Sequence, residues 1–254
     1  MKYKLTDNKK EHCGKTFYQI QALRDIPTNN VKTGDLGGFI EKDSNLSQYG
    51  DAWVYGDAQV YGDAQVSGNA QVYGGAKVYG YAQVYRYARI SGSAQISGNA
   101  KVYGSARVYD NALVYDNALV YDNARVSGSA QISGNAQVYG SARVYDNALV
   151  YDNARVSGNA RVSGNALVYD NARVSGNAVI KSKLDLIYMQ GLKFNLTLTN
   201  AGLFIGCEFH SIGHWLLEYR QIGAKHKLTE KETRHYLKLI KTADKILKAQ
   251  QELK

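Results

Sequence analysis

The sequence predicts a mainly β chain: a triangular parallel β-helix over 49–180, a small N-terminal β cap over 1–48, and a C-terminal cap with helices over 181–254. Three observations carry this. From Tyr49 to Ile180 the chain is 132 residues of unbroken hexads, 22 copies, and a period of this kind decides the architecture before any local reading. The fourth position is Ala in every copy, from Ala52 to Ala178, and the sixth is always Val or Ile, from Val54 to Ile180. The second position is nearly always Gly or Asp and the third mostly Asn, Asp or Ser, which would break any helix every six residues.

Each element follows from residue chemistry. Ala-x-Val is a short strand with two inward side chains and one outward between them. The Gly/Asp-Asn pair tolerates left-handed backbone, so the chain turns there. A strand and a corner every six residues close a coil after three hexads, and coils stack about 4.8 Å apart through backbone hydrogen bonds. This gives roughly seven coils, about 35 Å long, with Ala filling the most crowded inner position. Before the hexads, Lys15 to Leu23 has a mixed strand pattern and Pro27-Thr28-Asn29-Asn30 a polar turn. This segment is expected to cover the first coil's open edge, which would otherwise template aggregation. After them, Asn195 to Thr199 alternates as a strand, and Ser211 caps a short helix through Trp215 and Tyr219 that Gly223 stops. Thr229-x-x-Glu232 is a capping box opening a helix to about Gln251, with Tyr236, Ile240, Ala243 and Leu247 as its apolar stripe.

The hexads resemble the hexapeptide repeats of left-handed β-helices, a superfamily of trimeric acyltransferases with many non-catalytic members. The likeness is closer to bacterial and prophage repeat proteins that open with Gly34-Asp35-Leu36-Gly37-Gly38-Phe39-Ile40-Glu41, then Asn45-Leu46-Ser47 and Tyr-Gly-Asn-Ala-x-Val runs, and it covers Gly34 to Ile180. It implies a left-handed coil and a homo-oligomer, a trimer by likeness. The superfamily usually places Gly directly after the aliphatic residue, whereas here Tyr (fourteen copies) or Ser (eight) intervenes, so spacing alone does not set the hand. Ser91 to Tyr121 recurs from Ser127 with one Tyr-Asp-Asn-Ala-Leu-Val unit fewer, a slip that quasi-one-dimensional folds tolerate and that argues against a catalytic geometry fixed across faces.

Composition narrows the class. The 254 residues carry a net charge of +9, of which +6 falls in 181–254, notably on Lys231, Arg234, Lys238, Lys241, Lys245 and Lys248. Two cysteines, Cys13 and Cys207, exclude a disulfide scaffold and suit a reducing cytoplasm. The first residues lack the apolar core of a signal peptide and no stretch approaches 18 apolar residues, so a cytoplasmic protein without a membrane span is expected, host cytoplasm if phage-encoded.

Sorting the fifth positions by an 18-residue coil gives the candidate sites. One face reads Trp53, Gln71, Arg89, Arg107, Arg125, Arg143, Arg161, Val179, an arginine ladder in hexads that begin with Tyr85, Tyr103, Tyr121 and Tyr139. Arginine interleaved with aromatics suits phosphates and stacked bases, so a nucleotide or a nucleic-acid strand is the expected ligand. The alternative is outward charge that merely solubilises a sheet. A second face carries Leu113, Leu149 and Leu167 on a Gln background and reads as an oligomer interface or as scattered surface leucine. Cys207-x2-His210-x3-His214 has a zinc-like spacing, with His12 or Cys13 as a fourth ligand, although a lone Cys beside helix-flanking histidines is the commoner reading. No other cofactor is expected. The solenoid has no His, no Cys and no inserted loop, so acyl transfer lacks a general base there. The expectation is therefore a non-enzymatic binding protein of phage type that sequesters a nucleotide or blocks a host factor. An acyltransferase-like enzyme and a structural or assembly scaffold are the alternatives.

Overall fold

The computed structural model describes residues 1–12 and 14–252. Strands β1 (Tyr3–His12) and β2 (Lys15–Ala22) form an antiparallel hairpin, and β2 pairs antiparallel with β3 (Leu36–Ile40). The chain then changes mode: β3 pairs in parallel with Gln59–Val60, and Leu46 bridges in parallel to Val66. The coil thus starts ahead of the hexads, at Leu36, and parallel stacks of eight, eight and seven strands build its three faces, about eight turns. The hexad pattern hides this first turn because Gly37 and Gly38 stand where the repeat has side chains. A Cβ on Gly38 would lie 2.7 Å from Val54 Cγ1 and 2.8 Å from the Ala58 carbonyl oxygen, so the close approach demands glycine.

Strands β4 to β25 are 22 two-residue strands, one per hexad, from Trp53–Val54 to Val179–Ile180. Residue i pairs with i+18, as in Arg89 with Arg107 and Gln95 with Leu113. Each rung donates two amides to the next, for example Gln59 N to Ala76 O at 2.9 Å and Tyr61 N to Val78 O at 3.0 Å. Every fourth-position Ala and sixth-position Val or Ile is 0 % exposed, which explains why only these two positions never vary in size class.

The corners explain the Gly/Asp choice. Second-position residues are left-handed, φ 64° at Gly92 and 60° at Asp110. Where Asp stands there, its carboxylate accepts the amide of the same corner one coil on: Asp110 from Gly128 at 3.1 Å, Asp116 from Gly134 at 3.1 Å, Asp146 from Gly164 at 3.0 Å. That local hydrogen bond offsets the strain of a Cβ at positive φ. At the third position Asn99, Asn117, Asn135 and Asn153 pass side-chain hydrogen bonds up one edge at 3.1–3.3 Å.

Both ends are plugged. At the N-terminal end Tyr3, Ile20, Ile26, Leu46 and Trp53 bury against the first coil, and Lys2 donates its ammonium to the Ala52 carbonyl at 2.7 Å. At the other end a meander of β26 (Leu186–Met189), β27 (Leu196–Thr199), β28 (Gly202–Ile205) and β29 (Glu208–His210) meets the last coil. There side chains replace a strand partner: Thr197 Oγ1 accepts from Arg173 N at 3.1 Å and Asn200 Oδ1 from Val179 N at 2.9 Å. Helices α1 (Ile212–Lys225) and α2 (Glu230–Glu252) pack on the meander around Leu198, Leu203, Trp215, Tyr236 and Ile240. Ser211 Oγ caps α1 through His214 N, and Thr229 and Glu232 form the expected capping box. Gly223 does not stop α1, which continues to Lys225. It sits in the contact between the helices, where a Cβ would lie 2.9 Å from Thr233 Oγ1, so the glycine serves packing and not termination. Among the described residues no helix is long and apolar enough to cross a membrane.

Candidate anion-binding face

The face built on Trp53–Val54 holds Gln71, Arg89, Arg107, Arg125, Arg143, Arg161 and Val179 in strict register. It is closed at both ends. Trp53, nominally outward, is 1 % exposed, because the loop around Ile26 to Val31 folds over the first rungs. Asn29 accepts there from Tyr55 Oη at 2.8 Å and Gln71 Nε2 at 2.6 Å. The five arginines between the two caps are exposed. Among the described residues no carboxylate pairs with any of them. Asp110 and Asp146, the acids at the adjoining corner, are committed to backbone amides. Tyrosine rings on neighbouring rungs stack 4.9–5.0 Å apart, and two guanidiniums at such a spacing would repel by about 1 kcal/mol even in water. Among the described residues the arginine column has no ion-pair partner.

The aromatic partners differ from those the hexads suggest. A first-position residue lies beside the strand that precedes it, not the strand its own hexad leads into: Tyr79 Oη reaches Gln95 Oε1 at 3.2 Å, and Tyr115 Oη reaches Gln131 Oε1 at 3.4 Å, both on the second face. Tyr85, Tyr103, Tyr121 and Tyr139 do form a column, with ring centroids 4.9–5.0 Å apart and planes within 5°. They line the third face, past the corner, beside Gln83, Lys101, Leu119 and Gln137. Burial and the neighbouring ring oxygens push the Tyr103 and Tyr121 phenols up, and the Arg155 charge on that face opposes the rise at Tyr121. The arginine ladder is flanked instead by Tyr73, Tyr109 and Tyr145, alternating with Ser91 and Ser127. Each serine leaves a hollow. One of about 220 Å³ is lined by Tyr73, Arg89, Ser91, Arg107, Tyr109 and Arg125, and one of about 230 Å³ by Tyr109, Arg125, Ser127, Arg143, Tyr145 and Arg161. Tyrosines two rungs apart, with a ring missing between them and cations alongside, form the geometry on which the site rests.

The repeat itself has known counterparts. A family model described as the YdcK β-solenoid repeat matches residues 58–74, 64–80, 94–109, 106–121, 130–144, 142–155, 154–169 and 166–181. This chain is a β-solenoid repeat protein. No curated protein matches it.

The remaining candidates of the solenoid protein are placed as follows. Leu113, Leu149 and Leu167 fall in register on the second face but are only half-exposed, and Tyr115 and Tyr151 flank the first two. Of the zinc-spaced residues, His210 and His214 stack on each other at 4.3 Å, and His214 is not among the donors grouped with Cys207. Cys207 gathers instead with Glu208 and His226, a residue that sequence spacing missed because it arrives from the far end of α1. Hydrogen bonds from Lys225 and His226 push the Glu208 carboxyl down to about 2. His12 ends β1 in the hairpin at the opposite end of the solenoid, so it cannot complete that group, and Cys13 lies outside the described residues.

Proposed function

We propose that this solenoid protein is a non-enzymatic binding scaffold whose arginine face takes up single-stranded nucleic acid. The phosphates lie along Arg89 to Arg161, and bases enter the ring-sized hollows at Ser91 and Ser127. The observation that carries the reading is the ladder of five exposed arginines, without an ion-pair partner among the described residues, with two tyrosine-walled gaps set into its edge. An uncompensated cation column tracks a backbone without reading sequence, and tyrosine faces stack any base. A mononucleotide would use one hollow and two or three arginines, whereas a strand uses both hollows and the whole ladder, so the strand makes fuller use of the face. Solubilisation alone does not require a column of like charges, since the second face carries mostly Gln and Leu at the same positions with Lys77 as its one cation there.

The test is fluorescence anisotropy of a labelled single-stranded oligonucleotide with the wild-type chain and with Arg107→Glu plus Arg125→Glu. Both side chains point into solvent, so the variant keeps its fold, and binding should fall by more than tenfold. Unchanged affinity in the folded variant would reject the reading, and preference for a free nucleotide over the strand would reduce it to a single-hollow site.

A further inference from the structure

A second set of groups stands apart from the arginine face. The turn between β28 and β29 places Cys207 and Glu208 side by side, with Gly206 left-handed at φ 61° just before them. His226, at the C-cap of α1, folds back onto the same turn. The Cys207 Sγ, a Glu208 carboxylate oxygen and a His226 ring nitrogen lie within 4.8 Å of one another. Glu208 is the hub: its oxygens sit 2.8 Å from His226 Nε2, 3.3 Å from His210 Nε2 and 2.7 Å from Lys225 Nζ. Beneath them lies an apolar wall of Phe194, Ile205, Trp215 and Tyr236 that excludes water from one side.

We propose that Cys207, Glu208 and His226 bind a zinc ion, with His210 the nearest fourth donor. Thiolate, imidazole and carboxylate are the three donor types zinc takes, and at zinc distances they sit about 3.5 Å apart around a tetrahedral ion. The present separations need side-chain adjustment of about 1 Å to reach that. The ion would take the place of the proton shared between His226 and Glu208. It would also displace the Lys225 ammonium, which is 68 % exposed and free to swing into solvent. Its consequence is structural: it would tie the β28–β29 turn to the end of α1, at the junction where the helical hairpin leaves the meander. His226 stands 19 residues from Cys207 and 18 from Glu208, so the local Cys207-x2-His210 spacing does not announce it.

The experiment titrates Co²⁺ and then Zn²⁺ into the full chain purified through a chelator. One equivalent of Co²⁺ should give a thiolate-to-metal charge-transfer band and the visible spectrum of a four-coordinate ion, and Zn²⁺ should bleach both. Cys207→Ser should abolish the charge-transfer band and His226→Ala should weaken binding at least tenfold. Cys207 is exposed, so Cys207→Ser keeps its fold, and far-ultraviolet circular dichroism confirms it for both variants. Zn²⁺ should also raise the melting temperature of the wild type and not of Cys207→Ser. No stoichiometric Co²⁺ spectrum, or a spectrum unchanged in Cys207→Ser, would overturn the proposal.

Discussion

Filling the two hollows with the ring that the repeat leaves out separates binding from folding. Ser91→Tyr with Ser127→Tyr would make Tyr73 to Tyr145 a continuous column. The fold already accommodates four consecutive tyrosines in that way on the third face, at 4.9–5.0 Å between centroids. Each new ring gains two stacked neighbours, worth about 0.5–1.5 kcal/mol per pair beyond the area it buries, so the double variant should unfold at higher denaturant concentration. The same rings occupy the space in which bases stack. Base–aromatic stacking contributes about 1–3 kcal/mol per base, so closing two hollows should remove about 2–6 kcal/mol, a loss of thirtyfold or more in affinity. Chemical denaturation and anisotropy on one preparation read both effects. A variant that is more stable yet binds the oligonucleotide as tightly as wild type would refute the placement of bases in the serine hollows. A variant that is less stable would refute the packing argument.

Three further outcomes follow from the repeat and its ends. Deleting residues 127–144, one 18-residue coil, should leave a folded, shorter solenoid that lacks Arg143 and the Ser127 hollow; circular dichroism and binding check both, and a collapsed chain would contradict the stacking register. Asp116→Ala removes the carboxylate that accepts Gly134 N at 3.1 Å and leaves a Cβ at φ 57°, so it should cost about 2 kcal/mol in urea unfolding, whereas Asp116→Gly should cost less than 1 kcal/mol. Burial, with Arg24 nearby, pushes the Lys2 ammonium down to about 8, so between pH 8 and 10 the unfolded chain binds the extra proton and stability should rise with pH. Above pH 10 the trend should reverse, because the raised phenols of Tyr3, Tyr55 and Tyr103 ionise more readily in the unfolded chain. Melting temperatures across that range check it, and Lys2→Met should flatten the rising limb.

The coil was legible because two interior positions in six are fixed by a cavity that admits only Ala and Val or Ile, and that constraint repeats 22 times. The pairing register followed from it, and the arginine ladder followed from the register. What the hexads concealed is direction at the corner. Tyr85 and Arg89 share a hexad, yet the left-handed residue between them turns the chain, and the tyrosine stays with the face it has just left. Reading hexads from the strand onward, with Arg125 followed by Val126 and Ser127, would have found the hollows. The first turn was missed for another reason: Phe39 and Ile40 stack like a rung, but their glycine neighbours carry no repeat signature. The thiol–imidazole group at Cys207 was half visible, since His226 reaches it only through the return of α1, which Gly223 was expected to end.

The most direct test of the central claim is the salt dependence of strand binding. Neutralising a phosphate on a single strand contributes a slope of about −0.7 to log K against log salt, so five arginines predict a slope near −3.5 and about a hundredfold loss between 50 and 200 mM. Arg125→Gln should bring the slope down by about 0.7. An affinity that ignores salt, or no binding of a single strand at 50 mM, would contradict a face built to neutralise a nucleic-acid backbone.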